Sequence, residues 1–572
     1  MKFLIKYLEP FKQRMLLGFS IKVSGTVAEL FLPYILTHIL DNVIGTLQIE
    51  KVVFFGVLMI LCAAAACAGN IIANRMAAKV SKDFSKKMRK DLFEKTLYLS
   101  ASDTDKFTIP SLESRITSDT YNVHNFVSMM QRMGVRAPIL LIGGMGISFF
   151  MDARLALVML ATLPFIFVTV YSISKKGVPL YTEVQHRVDK MVRVVREDTQ
   201  GIRVIKALSK NDYENRRYDE VNLALSNEER KAGAIMGSVN PIMMLLMNLG
   251  ITAVIALSAF TVAKGYSTPA TVIAFVQYFT LISMAMMVIS RIFVMYTKCA
   301  ASAERIAEVL ETPESFFVTE DDSPADDENF ICFKNVSFSY LGRKNNIENL
   351  SVSVPKGGTL GIIGATGSGK STFVKLLMRA YEADSGTIKI GGKDITAYSR
   401  KALTDMFGVA LQNDFLYADT IEENIRFGRE LSFEEIKRAA KIAQASDFIE
   451  ALPEGYNHII APKGTNLSGG QRQRILIARA VAARPDIIIL DDSSSALDYK
   501  TDAALRKALE TELFGSCVIT VAQRVSSVKN CERILVLDEG KVIGSGTHEE
   551  LMESCPEYRE ISDSQMGGAF VD

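Results

Sequence analysis

Three short clusters of residues in the C-terminal half are spaced for phosphate chemistry. In the first, Gly364, Gly367 and Gly369 alternate with Thr366 and Ser368 and run into Lys370, Ser371 and Thr372. Glycines let backbone N–H groups wrap an anion at a helix N-terminus, where the helix dipole favours negative charge. A lysine at this spacing reaches the β- and γ-phosphates of a nucleotide, and the next hydroxyl suits Mg²⁺. In the second, the apolar run Ile487 to Leu490 ends in Asp491 and Asp492. Asp491 is placed for the Mg²⁺ shell and Asp492 for polarising an attacking water; a carboxylate pair that only caps the next turn is the plain alternative. In the third, Leu467, Ser468, Gly469, Gly470 and Gln471 open a helical stretch, again suited to a phosphate, although a capping turn without a ligand has the same composition.

These clusters need strands and helices to hold them. The run Thr359 to Ile363 predicts a buried strand ahead of the glycines, and Phe373 to Tyr381 a helix behind them. From Phe330 onward short β-branched runs alternate with helical ones, which predicts an α/β domain over 330–572. An acidic, proline-containing stretch over 312–329 reads as a linker.

Residues 1–311 have a different character. Six largely apolar stretches, near 15–40, 52–73, 134–151, 155–175, 238–263 and 268–296, are long enough to cross a bilayer. The stretch from Val52 to Ala73 carries no charge, which buried helices of a soluble core seldom achieve. Lys2, Lys6, Lys12 and Arg14 precede the first stretch, and Lys79, Lys82, Lys86, Lys87, Arg89 and Lys90 come after the second. The intervening turn from Asp41 to Glu50 has no basic residue, so the N-terminus and the α/β domain are expected in the cytoplasm. The first stretch contains Lys22 and Glu29 and lacks a small-residue cleavage site, which favours a membrane helix over a signal peptide. Segments 77–133 and 176–237 read as membrane helices extended into the cytoplasm, with turns expected at 108–114 and 211–218. The 65 basic and 64 acidic residues give no basic excess for a nucleic-acid partner, and the seven cysteines show neither metal-ligand nor paired spacing.

The order of these motifs resembles that of the ATP-binding-cassette family over the whole chain. The resemblance extends to Tyr340, the family's adenine-stacking aromatic, to Gln412, which senses γ-phosphate and Mg²⁺, and to the dimer-contact residues Ser495, Ala496, Leu497 and Asp498. A plain strand aromatic is the alternative reading of Tyr340. The resemblance implies an exporter half-transporter: six transmembrane helices with long cytoplasmic extensions, then an α/β P-loop nucleotide-binding domain with a helical subdomain. It implies ATP and Mg²⁺ as cofactors, the metal held by Ser371, Gln412 and Asp491. Two halves would sandwich ATP between the phosphate loop of one and the Leu467–Gln471 signature of the other, and the two cytoplasmic turns would be coupling helices.

The chain departs from the family pattern at two catalytic positions. Asp492 stands where the family has Glu, and Gln523 where it has His. Ala461, Pro462, Lys463 and Gly464 also replace the exporters' usual Gly-Glu-Arg-Gly ahead of the signature. A poor catalytic pair beside an intact signature resembles the degenerate-site subunit of heterodimeric bacterial multidrug exporters. The expected partner is a different half-transporter with intact Glu and His, in contact with membrane lipid at the bacterial plasma membrane. A slow homodimer exporting lipids or peptides is the alternative, and a nucleotide-gated channel or regulator a more distant one. Flux direction beyond the resemblance stays open. Amphipathic, drug-like cargo is expected. Lys22, Glu29, Gln277 and Arg291, together with the methionines at 243, 244, 247, 284, 286 and 287, are candidate translocation residues or ordinary packing and snorkelling groups.

Overall fold

The computed structural model describes residues 2–46, 48–313, 316–319, 329–340, 342, 344–412, 414–493 and 495–566. Two compact units divide the chain: Met1–Leu97 with Thr108–Thr312, and Tyr98–Phe107 with Pro313–Asp572.

The first unit is helical. Among the described residues, six helices are long and apolar enough to cross a membrane: Phe3–Val43, Ile49–Tyr98, Ile109–Met151, Ala153–Ala207, Asn211–Ala263 and Pro269–Leu310. In the most apolar window of Ile49–Tyr98 only 6% of the residues are buried inside the protein, so this face must be covered by lipid or another chain. The helix Ala153–Ala207 has 55 residues. At ~1.5 Å per residue it is about 80 Å long, well beyond the ~30 Å hydrocarbon core. Short turns join the spans on the non-cytoplasmic side. Asp152 caps one helix by accepting from the amides of Arg154 (2.9 Å) and Leu155 (3.3 Å). Thr268 caps another by accepting from the Thr271 amide at 3.2 Å. Polar contacts pin the third long helix to the sixth: buried Asp119 accepts from Arg305 Nε at 2.8 Å and from Ser302 Oγ at 2.8 Å. Of the methionines, Met243 and Met286 pack with Ile166 in one buried cluster, whereas Met244, Met284 and Met287 are exposed.

The cytoplasmic turns fall earlier than the sequence suggests. Residues Ile109–Ser114 are helical and begin the third long helix, and the turn lies at Thr108, whose φ is +64°. A separate short helix, Ala101–Phe107, belongs to the second unit. There Asp105 accepts a hydrogen bond from the Tyr381 hydroxyl, and Arg400 donates to the Tyr98 carbonyl at 3.2 Å. The second turn lies at 208–210, and 211–218 opens the helix Asn211–Gly237. Apolar side chains at Ala101 and Phe107, which sequence polarity alone obscures, give the first short helix something to bury.

The second unit holds two sheets. Strands β1 (Ile331–Phe338), β2 (Ile347–Val354), β4 (Ser385–Ile390) and β5 (Lys393–Asp394) form an antiparallel sheet in the order β2-β1-β4-β5. Strands β3 (Thr359–Gly364), β6 (Phe407–Ala410), β7 (Ile487–Asp491), β8 (Cys517–Val521), β9 (Arg533–Asp538) and β10 (Lys541–Gly546) form the other in the order β10-β9-β3-β8-β7-β6. All of its pairings are parallel except β10 with β9. Every residue of β7 is buried, as expected for a central strand covered on both faces. The expected linker is only partly visible: 314–315 and 320–328 lie outside the described residues. Residues 316–319 pack on the α/β unit, with the Arg379 guanidinium 4.0 Å from the Phe316 ring and donating to the Phe317 carbonyl at 2.7 Å.

Between the sheets, Phe333 stacks on Phe373 with centroids 4.4 Å apart, both fully buried. Phe373 lies in the helix Lys370–Leu377 that carries the phosphate-loop lysine, so its packing fixes that helix. Phe373→Ala is expected to destabilise the unit by about 3–5 kcal/mol. A calorimetric scan of the full chain should show the transition of this unit at clearly lower temperature.

Candidate nucleotide site

The parallel register brings the site together. Ile362 of β3 pairs with Val521 of β8, and Val521 pairs with Asp491 of β7. The strands therefore end level, and the segments beyond them (the phosphate loop after Gly364, Asp492 after Asp491, Gln523 after Val521) open into one crevice. Ligands bind at the carboxyl ends of such strands. A cavity of about 220 Å³ there is lined by Thr366, Gly367, Gly369, Lys370, Ser371, Thr372, Gln412, Asp491, Asp492 and Gln523.

Glycine is required at two of the loop positions. Gly369 has φ +105°, and a Cβ there would lie 2.8 Å from the Asn346 carbonyl oxygen. A Cβ on Gly364 would meet the Leu537 oxygen at 2.1 Å. Lys370 is buried and donates to the carbonyls of Gly364 and Ala365, each at 2.8 Å. Burial pushes its pKa down, against the attraction of Asp491 and Asp492. Burial raises the Asp491 carboxyl, opposed by a hydrogen bond from Ser371 and by Lys370. Asp492 is likewise raised by burial, opposed by Lys370, Arg524 and Gln412. Its carboxylate accepts from Gln412 Nε2 at 3.2 Å. Its backbone sits at φ +51°, a conformation that aspartate tolerates better than most residues.

The crevice fits a triphosphate with Mg²⁺. Ser368 Oγ is buried without a hydrogen-bond partner among the described residues, a polar atom in a loop of backbone donors. Ser371, Gln412 and Asp491 offer the oxygen donors that Mg²⁺ prefers, and the ion would neutralise phosphate charge between them. Lys370 would bind and orient the terminal phosphates.

Tyr340 stands beside the cavity. Its hydroxyl donates to Thr372 Oγ1 at 3.3 Å, its ring meets Tyr381 edge-on at 5.0 Å, and Lys375 Nζ lies 5.2 Å from its centroid. The signature residues do not line the cavity. Ser468 caps its helix by accepting from the Gln471 amide at 3.2 Å, and Gln471 Oε1 accepts in return from the Ser468 amide at 2.9 Å. Gln473, two residues on, accepts from the Ala496 amide at 3.1 Å, tying the signature helix to the 495–498 loop. Asp498 caps the next helix at the Thr501 amide, 2.9 Å away.

Two contributors had no sequence signal. Asn346 lines the cavity from a turn between β1 and β2. Gln565, on the C-terminal helix Pro556–Met566, accepts from the Val525 amide at 2.8 Å and donates to the Gln523 carbonyl at 2.9 Å. It thus holds the backbone that presents Gln523, across a separation in sequence that no local pattern reveals.

Profiles of known families agree with this geometry. The ABC transporter transmembrane region matches residues 15–286, and the ABC transporter family matches 347–495. An uncharacterized ABC transporter ATP-binding protein of Bacillus subtilis, YfiB, is 34% identical over 98% of each chain. The chain belongs to the ABC transporter family. A further relative, Rv1273c of Mycobacterium tuberculosis, is 30% identical over 99% of this chain and 98% of its own. The transporter also shares its fold with a bacterial Atm1-family ABC exporter solved with ATP bound, at a TM-score of 0.82, 22% identity and coverage of 97% and 98% of the two chains. It is a multi-pass membrane protein with a cytoplasmic, ATP-binding domain. Members of the exporter group work as dimers of such halves.

Lys370→Ala is expected to abolish ATP binding by the transporter in a filter-binding or fluorescent-nucleotide titration. Gln565→Ala is expected to speed hydrogen exchange at the Val525 amide by about tenfold, the equivalent of ~1.4 kcal/mol of local protection.

Proposed function

We propose that the chain is one half of an ATP-driven exporter of amphipathic, drug-like small molecules, working in the bacterial cell membrane. On this reading it holds ATP on its own phosphate loop, hydrolyses it slowly, and lends its signature to the competent site of a different partner half. The observation that carries the reading is that Asp492 and Gln523 line the same cavity as Lys370, Ser371 and Asp491. Two departures from the family pattern thus fall on one site.

Each departure weakens a defined step. A group that polarises water must lie within hydrogen-bond reach of it, and aspartate is one methylene shorter than the family's glutamate. Gln523 can hydrogen-bond a terminal phosphate but cannot shuttle a proton and carries no positive charge. The capped Ser468–Gln471 turn and its tie through Gln473 to Ala496 support a signature kept in working order.

A slow homodimer carrying lipids or peptides is the second reading. It is favoured by the Asp492 carboxylate itself, which stays in the cavity and is oriented by Gln412.

The double variant Asp492→Glu with Gln523→His tests the proposal. Phosphate release by the chain co-purified with its partner half in lipid, with the partner's catalytic glutamate replaced by glutamine, should rise by about 100-fold if general-base placement limits this chain's site. An unchanged rate would contradict the degenerate-site reading.

A further inference from the structure

We infer that the cytoplasmic ends of the first three membrane helices form a binding site for an amphipathic anion, with a phosphate or carboxylate head and an apolar tail. Six polar side chains line one cavity of about 370 Å³: Lys22, Glu29, Asn70, Asn74, Arg132 and Arg136. Three of them are cations and one is a carboxylate. Arg136 takes that carboxylate, donating through Nε at 3.2 Å and Nη2 at 2.5 Å to Glu29. Lys22 and Arg132 therefore remain as uncompensated positive charge.

Lys22 is the anchor. It is only 3% exposed, yet among the described residues no carboxylate pairs with it. Its ammonium donates to Asn70 Oδ1 at 2.7 Å and Asn74 Oδ1 at 3.1 Å, two of the three bonds it can make. These neutral partners hold the head in place without cancelling its charge. The helices can come close enough because a Cβ built on Gly69 would lie only 3.2 Å from the Gly25 Cα. A buried ammonium at the edge of a bilayer is costly unless an anion completes it.

Arg132 has no ion-pair partner among the described residues. It sits on the π-turn Met130–Gly134, which interrupts the third long helix, and such turns often mark functional positions. On the cytoplasmic side of the charged cavity, the same three helices enclose a mostly apolar groove of about 700 Å³, lined by Met15, Phe19, Met76, Met130 and Val135 and also by Glu9, Lys12 and Arg14. A cationic head site that adjoins an apolar groove selects a molecule with both features. The anion's source is either a lipid headgroup or a free amphiphile, and the test below separates the two.

The site rests on the membrane reading of this unit and not on which half hydrolyses ATP. The test is therefore binding, not flux. The full chain in phosphatidylcholine nanodiscs is titrated with radiolabelled dodecyl phosphate, with inorganic phosphate and dodecyltrimethylammonium as competitors. Dodecyl phosphate should bind saturably, and Arg132→Gln and Lys22→Met should each weaken it by about tenfold. Wild-type hydrogen-exchange protection across the membrane helices of both variants shows that this unit remains folded. Lipids retained by the chain extracted directly from membranes identify the source. Enrichment of anionic phospholipid that is lost in Arg132→Gln supports a headgroup site, and equal lipid with dodecyl phosphate binding intact supports a free amphiphile. Binding within twofold of wild type in both variants would overturn the inference, as would equal competition by inorganic phosphate or by the dodecyl cation.

Discussion

The nucleotide site depends on one constraint, the parallel register of three buried strands. Pairing of Ile362 with Val521, and of Val521 with Asp491, brings residues from distant parts of the chain level at one edge of the sheet. A shift of one residue would turn each side chain to the opposite face of its strand. The phosphate loop, the aspartate pair and the Gln523 segment would then no longer converge. Burial of all five residues of β7 makes such a slip costly, so the chemistry rests on hydrophobic burial several residues away.

Burial also shapes the electrostatics. Lys370, Asp491 and Asp492 are each pushed toward neutrality by desolvation; the lysine and the two carboxylates hold each other back, while the Asp492 charge pushes Asp491 further the same way. The cavity is therefore a compensated cluster that a triphosphate and Mg²⁺ would enter with little reorganisation of the protein. Asp492 keeps the sign of the family's glutamate within this balance but gives up its reach. On the proposed reading, the departure leaves the binding electrostatics largely in place and bears mainly on placement of the attacking water.

Much of this was legible in the sequence because the signals are local. Gly364 to Thr372 is contiguous, the strand ahead of it is a continuous apolar run, and the charge-free run from Val52 to Ala73 needs no partner to be read as a membrane span. Features set by tertiary contact were not legible. The turn expected at 108–114 lies earlier, because Ala101–Phe107 is held by Tyr381 through Asp105, and the Tyr98 carbonyl just ahead of it by Arg400, both far along the chain. Gln565 and Asn346 look like ordinary polar residues until the fold brings them to the site. Lys22 and Glu29 were conspicuous as charges in an apolar run, but their different roles (one paired with Arg136, one held by two asparagines) appear only once the helices pack.

On the proposed function, slow turnover with ATP retained on this chain's own phosphate loop sets it apart from its partner half. This difference is tested most directly by vanadate trapping of a photoreactive ATP analogue in the complex purified from native membranes, with the label assigned to each chain. Trapped diphosphate is expected on the partner half and intact triphosphate on this chain. Equal trapping of diphosphate on this chain's phosphate loop would contradict it.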